Sequence, residues 1–464
     1  MGGFRLVGSS GVLRTHELRL GGANGVFRLA MRRLVRFASV AMAAAAAAVV
    51  PLALTPAVAA ASSCTGTALF TSYFNWFDNA SPGMVADNIH ILNPGATPSS
   101  GCVTVTGHPG VAWTAGAGKE TYLTMPSGTI GGPVTVIVTS GPAVKVSERV
   151  QYYSSFHELW AMDASQAATT SYFTWFDKLS AGTSNDNIHV LNPGSVAANV
   201  TVAVTNATSQ IVSVGPGAEA WVTFPQGTYN GPVTVTSDQP VLVSERVHFY
   251  QSFDEIWART AAQAATKSFL NWFDRTSPGM AYDYIYVLNL GTVAANVVVS
   301  DPCMGERGLV DPGHVVGFTI GNGCLPTTTS CIPCQQYPAI DGPVTVSSDQ
   351  LMLASQRVQY YSSFSEIWAL PSSEALTTSY FNWYDKASPG MTNDNIHLTN
   401  LGNVNAVVTV TVAGNTPQTV TISSRGYVSF PGVIGGPVTV SSTQPMLASQ
   451  RVHWYSSFSE VWSG

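Results

Sequence analysis

Val200, Val202 and Val204 alternate with Thr201, Ala203 and Thr205. The same two-residue period runs through Val233-Thr234-Val235-Thr236 and through Val407-Val408-Thr409-Val410-Thr411-Val412. Alternation of β-branched and small polar residues predicts antiparallel strands with one face buried. Turn residues punctuate these runs, as in Asn93-Pro94-Gly95, Asn192-Pro193-Gly194 and Gly131-Gly132-Pro133. The strongest hairpin signal joins Val233-Thr234-Val235 to Val241-Leu242-Val243 through a polar turn, Ser237-Asp238-Gln239-Pro240. After it, Ser252-Phe253-Asp254-Glu255-Ile256-Trp257 would set Phe253, Ile256 and Trp257 on one face of a single helical turn, a lid folded back on the strands. No other stretch of the repeats carries a helical stripe.

This pattern is written four times. Trp76-Phe77-Asp78, Trp175-Phe176-Asp177, Trp272-Phe273-Asp274 and Trp383-Tyr384-Asp385 open the copies, and Trp160, Trp257, Trp368 and Trp462 close them. The period of about one hundred residues is the size of a small domain, too long for a solenoid repeat. The expected architecture is all-β: four tandem antiparallel, Ig-like β-sandwich modules at 66–162, 163–262, 263–370 and 371–464. The linkers, such as Ala161 to Thr170, are short, so neighbouring modules are expected to touch end to end. The Trp and Arg that recur in every copy are expected to hold each module's own core.

Residues 1–60 differ. Arg32, Arg33 and Arg36 precede an apolar, Ala-rich run that ends near Ala57-Val58-Ala59, the form of a cleaved secretory signal; Met31 is its natural start. No second run of spanning length follows, so the mature chain is expected to have no membrane span. Seven of the 20 basic residues and one of the 26 acidic ones lie in this leader, so the rest carries 13 basic and 25 acidic side chains. That balance offers no footprint for nucleic acid. Six cysteines suit an oxidising, extracellular compartment. Cys64 and Cys102 lie in the first copy and are expected to pair. Cys303, Cys324, Cys331 and Cys334 lie in a longer third copy, where two disulfides are expected. Cys331-Ile332-Pro333-Cys334 also admits zinc, but Cys303 and Cys324 form no second such pair.

Four polar positions recur in every copy. They are the Asp after the opening Trp (Asp78, Asp177, Asp274, Asp385), an Asp nine residues on (Asp87, Asp186, Asp283, Asp394), an Arg (Arg149, Arg246, Arg357, Arg451) and a Glu (Glu158, Glu255, Glu366, Glu460). Paired carboxylates can serve acid–base chemistry as in a glycosidase, or hold calcium, though the spacing matches no EF-hand. They can equally cap turns and neutralise a buried Arg. Four equivalent active sites in one chain favour the structural role, and no catalytic residue or cofactor is expected. His90, His189 and His397 share a position with Tyr286, which speaks against an essential base there. No nucleophile elbow, phosphate loop or dinucleotide fingerprint is present.

The aromatic pairs Tyr152-Tyr153, Phe249-Tyr250, Tyr360-Tyr361 and Trp454-Tyr455 alternate along a late strand, so one of each pair faces outward. Tyr153, Tyr250, Tyr361 and Tyr455 are therefore ligand candidates, able to stack on the apolar faces of sugar rings. Gly-Pro-Val-Thr-Val followed by Ser-x-Arg-Val, an aromatic and Ser-Phe-x-Glu resembles tandem Ig-like β-sandwich repeats of secreted surface proteins from high-GC Gram-positive bacteria, over nearly all of residues 66–464. The resemblance implies the module architecture of surface and stalk domains and no activity; the expected role is a secreted, surface-associated, non-enzymatic spacer, scaffold or adhesin, with cell-wall polysaccharide or other surface proteins as partners. The alternative is a multivalent array for cell-wall or environmental polysaccharide, and a glycan hydrolase is more remote.

Overall fold

The computed structural model describes Cys64 and residues 66–301, 304–320 and 340–464. The leader and Cys303, Cys324, Cys331 and Cys334 lie outside the described residues. The fold is all-β, with four copies of a two-sheet sandwich. Among the described residues the helices are single 3-10 turns between copies, Ala164–Gln166, Ala261–Gln263 and Ser372–Glu374. None is long and apolar enough to cross a membrane.

The second copy shows the plan. One sheet orders Gln210–Val214, Ala198–Val204, the first half of Val233–Phe249, and Ala168–Phe173. The other orders Glu219–Thr223, Thr183–Leu191, the second half of Val233–Phe249, and Ser252–Trp257. The predicted alternation places Val200, Val202 and Val204 wholly inside, against Phe173, Phe176 and Phe224. Burying such side chains stabilises each sandwich by about 1.5–3 kcal/mol per residue.

Two expectations are corrected. The predicted turn at Ser237–Pro240 does not reverse the chain, because Val233–Phe249 is one strand shared by both sheets. Pro240 lacks an N–H, Gln239 N donates to Ser237 Oγ and Asn199 N donates to Asp238 Oδ1. These local bonds interrupt the regular ladder where the strand passes from one sheet to the other. Val344–Tyr360 and Val438–Trp454 do the same, whereas the first copy splits into Val134–Ser140 and Lys145–Tyr152. The predicted helical lid is also a strand. Ser252–Trp257 pairs in register with Ser244–Phe249. Its relevant period is two, with Phe253, Glu255 and Trp257 on one face opposite His248, Arg246 and Ser244.

The expected end-to-end string is corrected as well. The four closing strands, Ser155–Trp160, Ser252–Trp257, Ser363–Trp368 and Ser457–Trp462, touch in cyclic order, the last meeting the first. The copies therefore close into a ring about a pseudo-fourfold axis. Their cores run together across the joints: Leu191, Leu242 and Trp257 of the second copy pack into the core of the first. Leu353, Trp368 and Leu370 pack into the core of the second.

Candidate functional site at the ring axis

Residues that recur in every copy meet at the joints. Trp257 Nε1 donates to Trp160 O, Trp368 Nε1 to Trp257 O, Trp462 Nε1 to Trp368 O and Trp160 Nε1 to Trp462 O, all at 2.7 Å. A second cycle runs one layer away. Phe253 N donates to Ser155 Oγ, Phe364 N to Ser252 Oγ, Phe458 N to Ser363 Oγ and Phe156 N to Ser457 Oγ. The closing strand is an edge strand, so its outward amides need such partners once water is excluded.

A third cycle explains the repeated Arg and Glu. Arg149, Arg246, Arg357 and Arg451 place Nε 3.4, 3.2, 3.1 and 3.2 Å from Glu158, Glu255, Glu366 and Glu460. Each Glu also accepts from a buried serine, Ser147, Ser244, Ser355 or Ser449. Those serines meet Asn382, Asn75, Thr174 and Asn271 of the preceding copy. Each guanidinium stacks over a phenylalanine, Phe156, Phe253, Phe364 or Phe458. Each Arg and Glu is thus paired with an opposite charge, which offsets part of its desolvation, although Nη1 of Arg149, Arg246 and Arg357 makes no hydrogen bond.

The opening tryptophans also belong to the joints, which corrects their assignment to each module's own core. Trp76, Trp175, Trp272 and Trp383 are half-buried. They face His189, Tyr286, His397 and His90 of the next copy. His90 and His189 contact Glu120 and Glu219 at 2.7 Å. Burial, with the nearby Arg149 and Arg246 adding to it, holds these imidazoles well below their ordinary range. Burial pushes Glu120 and Glu219 up to about 8. Both members of each pair are thus favoured in the neutral form, joined by a hydrogen bond.

The eight aspartates raised as calcium candidates act on the backbone. Asp87, Asp186, Asp283 and Asp394 accept from the amides of Asp78, Asp177, Asp274 and Asp385. Asp78, Asp177, Asp274 and Asp385 in turn accept from amides two and three residues ahead. Among the described residues no group of three or more His, Cys, Asp or Glu side chains is placed to hold a metal ion.

The second Asp of each copy has a further partner that sequence reasoning passed over. In the third and fourth copies Gln356 and Gln450 Nε2 donate to Asp283 and Asp394 at 2.8 Å. In the first and second copies the equivalent residues are Glu148 and Glu245, facing Asp87 and Asp186. Burial pushes Asp87 and Asp186 up to about 7 and, with the neighbouring carboxylates adding to it, holds Glu148 and Glu245 well above the ordinary carboxylate range. A protonated glutamate there supplies the donor that glutamine supplies elsewhere. The Glu-to-Gln variation at otherwise repeated positions was the available signal.

The two ends of the closing strands differ. At the Trp end lies an axial cavity of about 470 Å³, lined by Trp160, Trp257, Trp368 and Trp462, with the Arg259–Glu374 ion pair on its wall. At the Ser end stand the candidate tyrosines. Tyr153, Tyr250, Tyr361 and Tyr455 occupy the turns into the closing strands at φ near +50°. They are 40%, 54%, 52% and 55% exposed. Each ring lies on a glycine; a Cβ at Gly182 would come within 2.3 Å of the Tyr250 ring. Cys64 and Cys102 form a disulfide.

No protein-family model matches this chain, and no curated protein matches it. Among solved structures, the crystal structure of a tetra-tandem repeat in the extending region of a large adhesion protein is similar at 12% identity. The match covers 83% of this chain and 92% of that one, with a TM-score of 0.10. At that score the likeness carries no structural argument.

Proposed function

We propose that this chain is a secreted, non-enzymatic scaffold of the adhesin kind, built as a rigid ring and not as an extended spacer. One observation carries the reading: the Arg, Glu, Ser and Trp shared by all copies are engaged in closing the ring. The Trp and Ser bonds cross from copy to copy, each Glu is held by one of those serines and by its own copy's Arg, and the repeated aspartates are taken up by backbone amides. A glycosidase needs its two carboxyl groups open to substrate, on either side of a bond to be cut. Secretion is supported by the leader sequence and by the Cys64–Cys102 disulfide. The likeness in sequence to bacterial surface repeats supports wall association.

The test is fractionation of producing cells, paired with incubation of the purified chain with wall polysaccharide. Retention in the wall fraction without release of reducing sugar is expected. Release of reducing ends, lost in Glu255→Gln, would establish a hydrolase. Recovery in the medium alone would remove the adhesin role.

A second reading is favoured by the exposed tyrosine turns. Four equivalent rings around one end of the axis could engage a repetitive neutral polysaccharide together, where weak single contacts add. Binding of the intact chain to insoluble wall glycan, weakened by Tyr250→Ala with Tyr361→Ala, tests it.

A further inference from the structure

The joint between the second and third copies departs from the other three. On the strand Met280–Asn289, Tyr282, Tyr284 and Tyr286 are spaced by two and share the sheet's outer face. The equivalent residues are Ala86, Asn88 and His90 in the first copy, Asn185, Asn187 and His189 in the second, and Asn393, Asn395 and His397 in the fourth. Across the joint, Tyr229 stands where the other copies have Ile130, Ile340 and Ile434. Trp175 lies between the two sets, 4.8 Å from Tyr286 and 4.9 Å from Tyr229 by ring centroids. Tyr284 continues the strip at 6.2 Å from Tyr286, and Tyr282 follows at 5.9 Å from Tyr284.

Closing the ring does not call for these rings, since histidine, asparagine or isoleucine serves at the other joints. They also do not fill the space between them. A cleft of about 410 Å³ remains, walled by this aromatic strip, with Asp177 and Gln359 at its polar edges. That volume is within the range of small-molecule sites. Tyr282 is 55% exposed and Tyr229 43%, so the strip is open to solvent.

We propose that this cleft is a single binding site for a neutral saccharide. Aromatic faces recognise the apolar C–H faces of sugar rings, while phenolic hydroxyls, a carboxylate and an amide at the rim match sugar hydroxyls. The wall carries one carboxylate, Asp177, and one guanidinium, Arg357, which is already paired with Glu366, so the cleft offers an anionic glycan no uncompensated cation, and the acidic balance of the chain disfavours one further. This site shares its ligand class with the second reading above but none of its residues, and it stands whether or not the chain is a scaffold. It also predicts one site per chain, against four for the tyrosine turns.

Saturation-transfer NMR and calorimetry on the intact chain test it, with cellotriose, maltotriose and tri-N-acetylchitotriose as probes. At least one is expected to bind with a stoichiometry near one. Tyr282→Ala combined with Tyr284→Ala should weaken it by about tenfold or more, from the loss of two stacking rings. Tyr153→Ala should leave it unchanged. Tyr282→Ala alone, at an exposed position, guards against misfolding as the cause of lost binding. No binding of any of the three sugars overturns the proposal, as does binding that survives the cleft variants. A stoichiometry of four, abolished by the tyrosine-turn variants, would move the site to the other end of the ring.

Discussion

The indole N–H of Trp257 donates to the main-chain carbonyl of Trp160, a residue of the preceding copy, at 2.7 Å. The same bond, made four times, joins the last copy to the first. Each tryptophan is both a donor to its predecessor and, through its carbonyl, an acceptor for its successor. Any one substitution therefore leaves a carbonyl at the joint, part-buried in three cases and buried in one, without this partner.

Trp257→Phe keeps an aromatic ring but removes the donor and part of the indole's bulk. It is expected to cost about 1–3 kcal/mol, from the lost hydrogen bond to a part-buried carbonyl and the lost packing together. Trp257→Ala should cost about 3–5 kcal/mol. Denaturant unfolding checks both. Hydrogen exchange should rise first in the strands Ser155–Trp160 and Ser252–Trp257, and uniform exchange across all copies would contradict the placement.

Removing one partner of a buried ion pair leaves the other uncompensated. Arg246→Ala is therefore expected to destabilise the chain by about 3–5 kcal/mol. Replacing both partners, as Arg246→Met with Glu255→Leu, should recover much of that loss. A double-mutant cycle read by urea unfolding decides it, and additive effects would contradict direct pairing of Arg246 with Glu255.

The buried carboxyl pairs make stability depend on pH. Asp87 and Asp186 hold protons to about 7, against an ordinary value of 3.8, and burial is the chief cause. The folded chain thus binds more protons than the unfolded one between these limits. The stability these groups contribute is present at acid pH and is lost as the pH rises through 7. Glu148 and Glu245 are shifted in the same direction. As the pH rises from about 4 to about 7 these carboxyls should pull urea stability down, while the buried histidines, which resist protonation, pull it up. Glu148→Gln with Glu245→Gln should lose less over the same range. An identical pH slope in the two proteins would show that these glutamates carry no proton there.

Gly182 sits at φ +101°, under the Tyr250 ring. Gly182→Ala strains the backbone and drives Cβ into that ring, so Tyr250 must move. An expected loss of about 1–3 kcal/mol should appear in thermal melts. Tyr250→Ala in the same background should relieve part of it, and no relief would mean that the strain lies in the backbone alone.

Much of the fold was legible because strands announce themselves locally. The alternation at Val200, Val202 and Val204 reads as one buried face, and that face is the core. Two local signals misled. Phe253, Ile256 and Trp257 fit a helical face, but Phe253 and Trp257 face the neighbouring copy while Ile256 faces its own core. Ser237–Pro240 has the composition of a turn, yet it marks a crossing between sheets. Ring closure left no local trace, because Trp160 and Trp462 are far apart in sequence. Its only sign was the repetition itself: Trp160, Ser155 and their equivalents recur in every copy, and their bonds run to the neighbouring copy. The cleft at Tyr282, Tyr284 and Tyr286 was legible only as a departure from the repeat, and at first reading Tyr286 served only to argue against a catalytic histidine.

A closed ring also fixes copy number. An open array can gain or lose a unit at either end and keep every remaining contact. Here a fifth sandwich would have no joint to enter without parting Trp160 from Trp462, and a third-copy deletion would leave Trp257 and Trp462 to span a gap. Variation in such a chain is confined to what each copy carries on its outer surface. Aromatic substitutions such as Tyr229 and Tyr282 are changes of that kind, made without disturbing the circle.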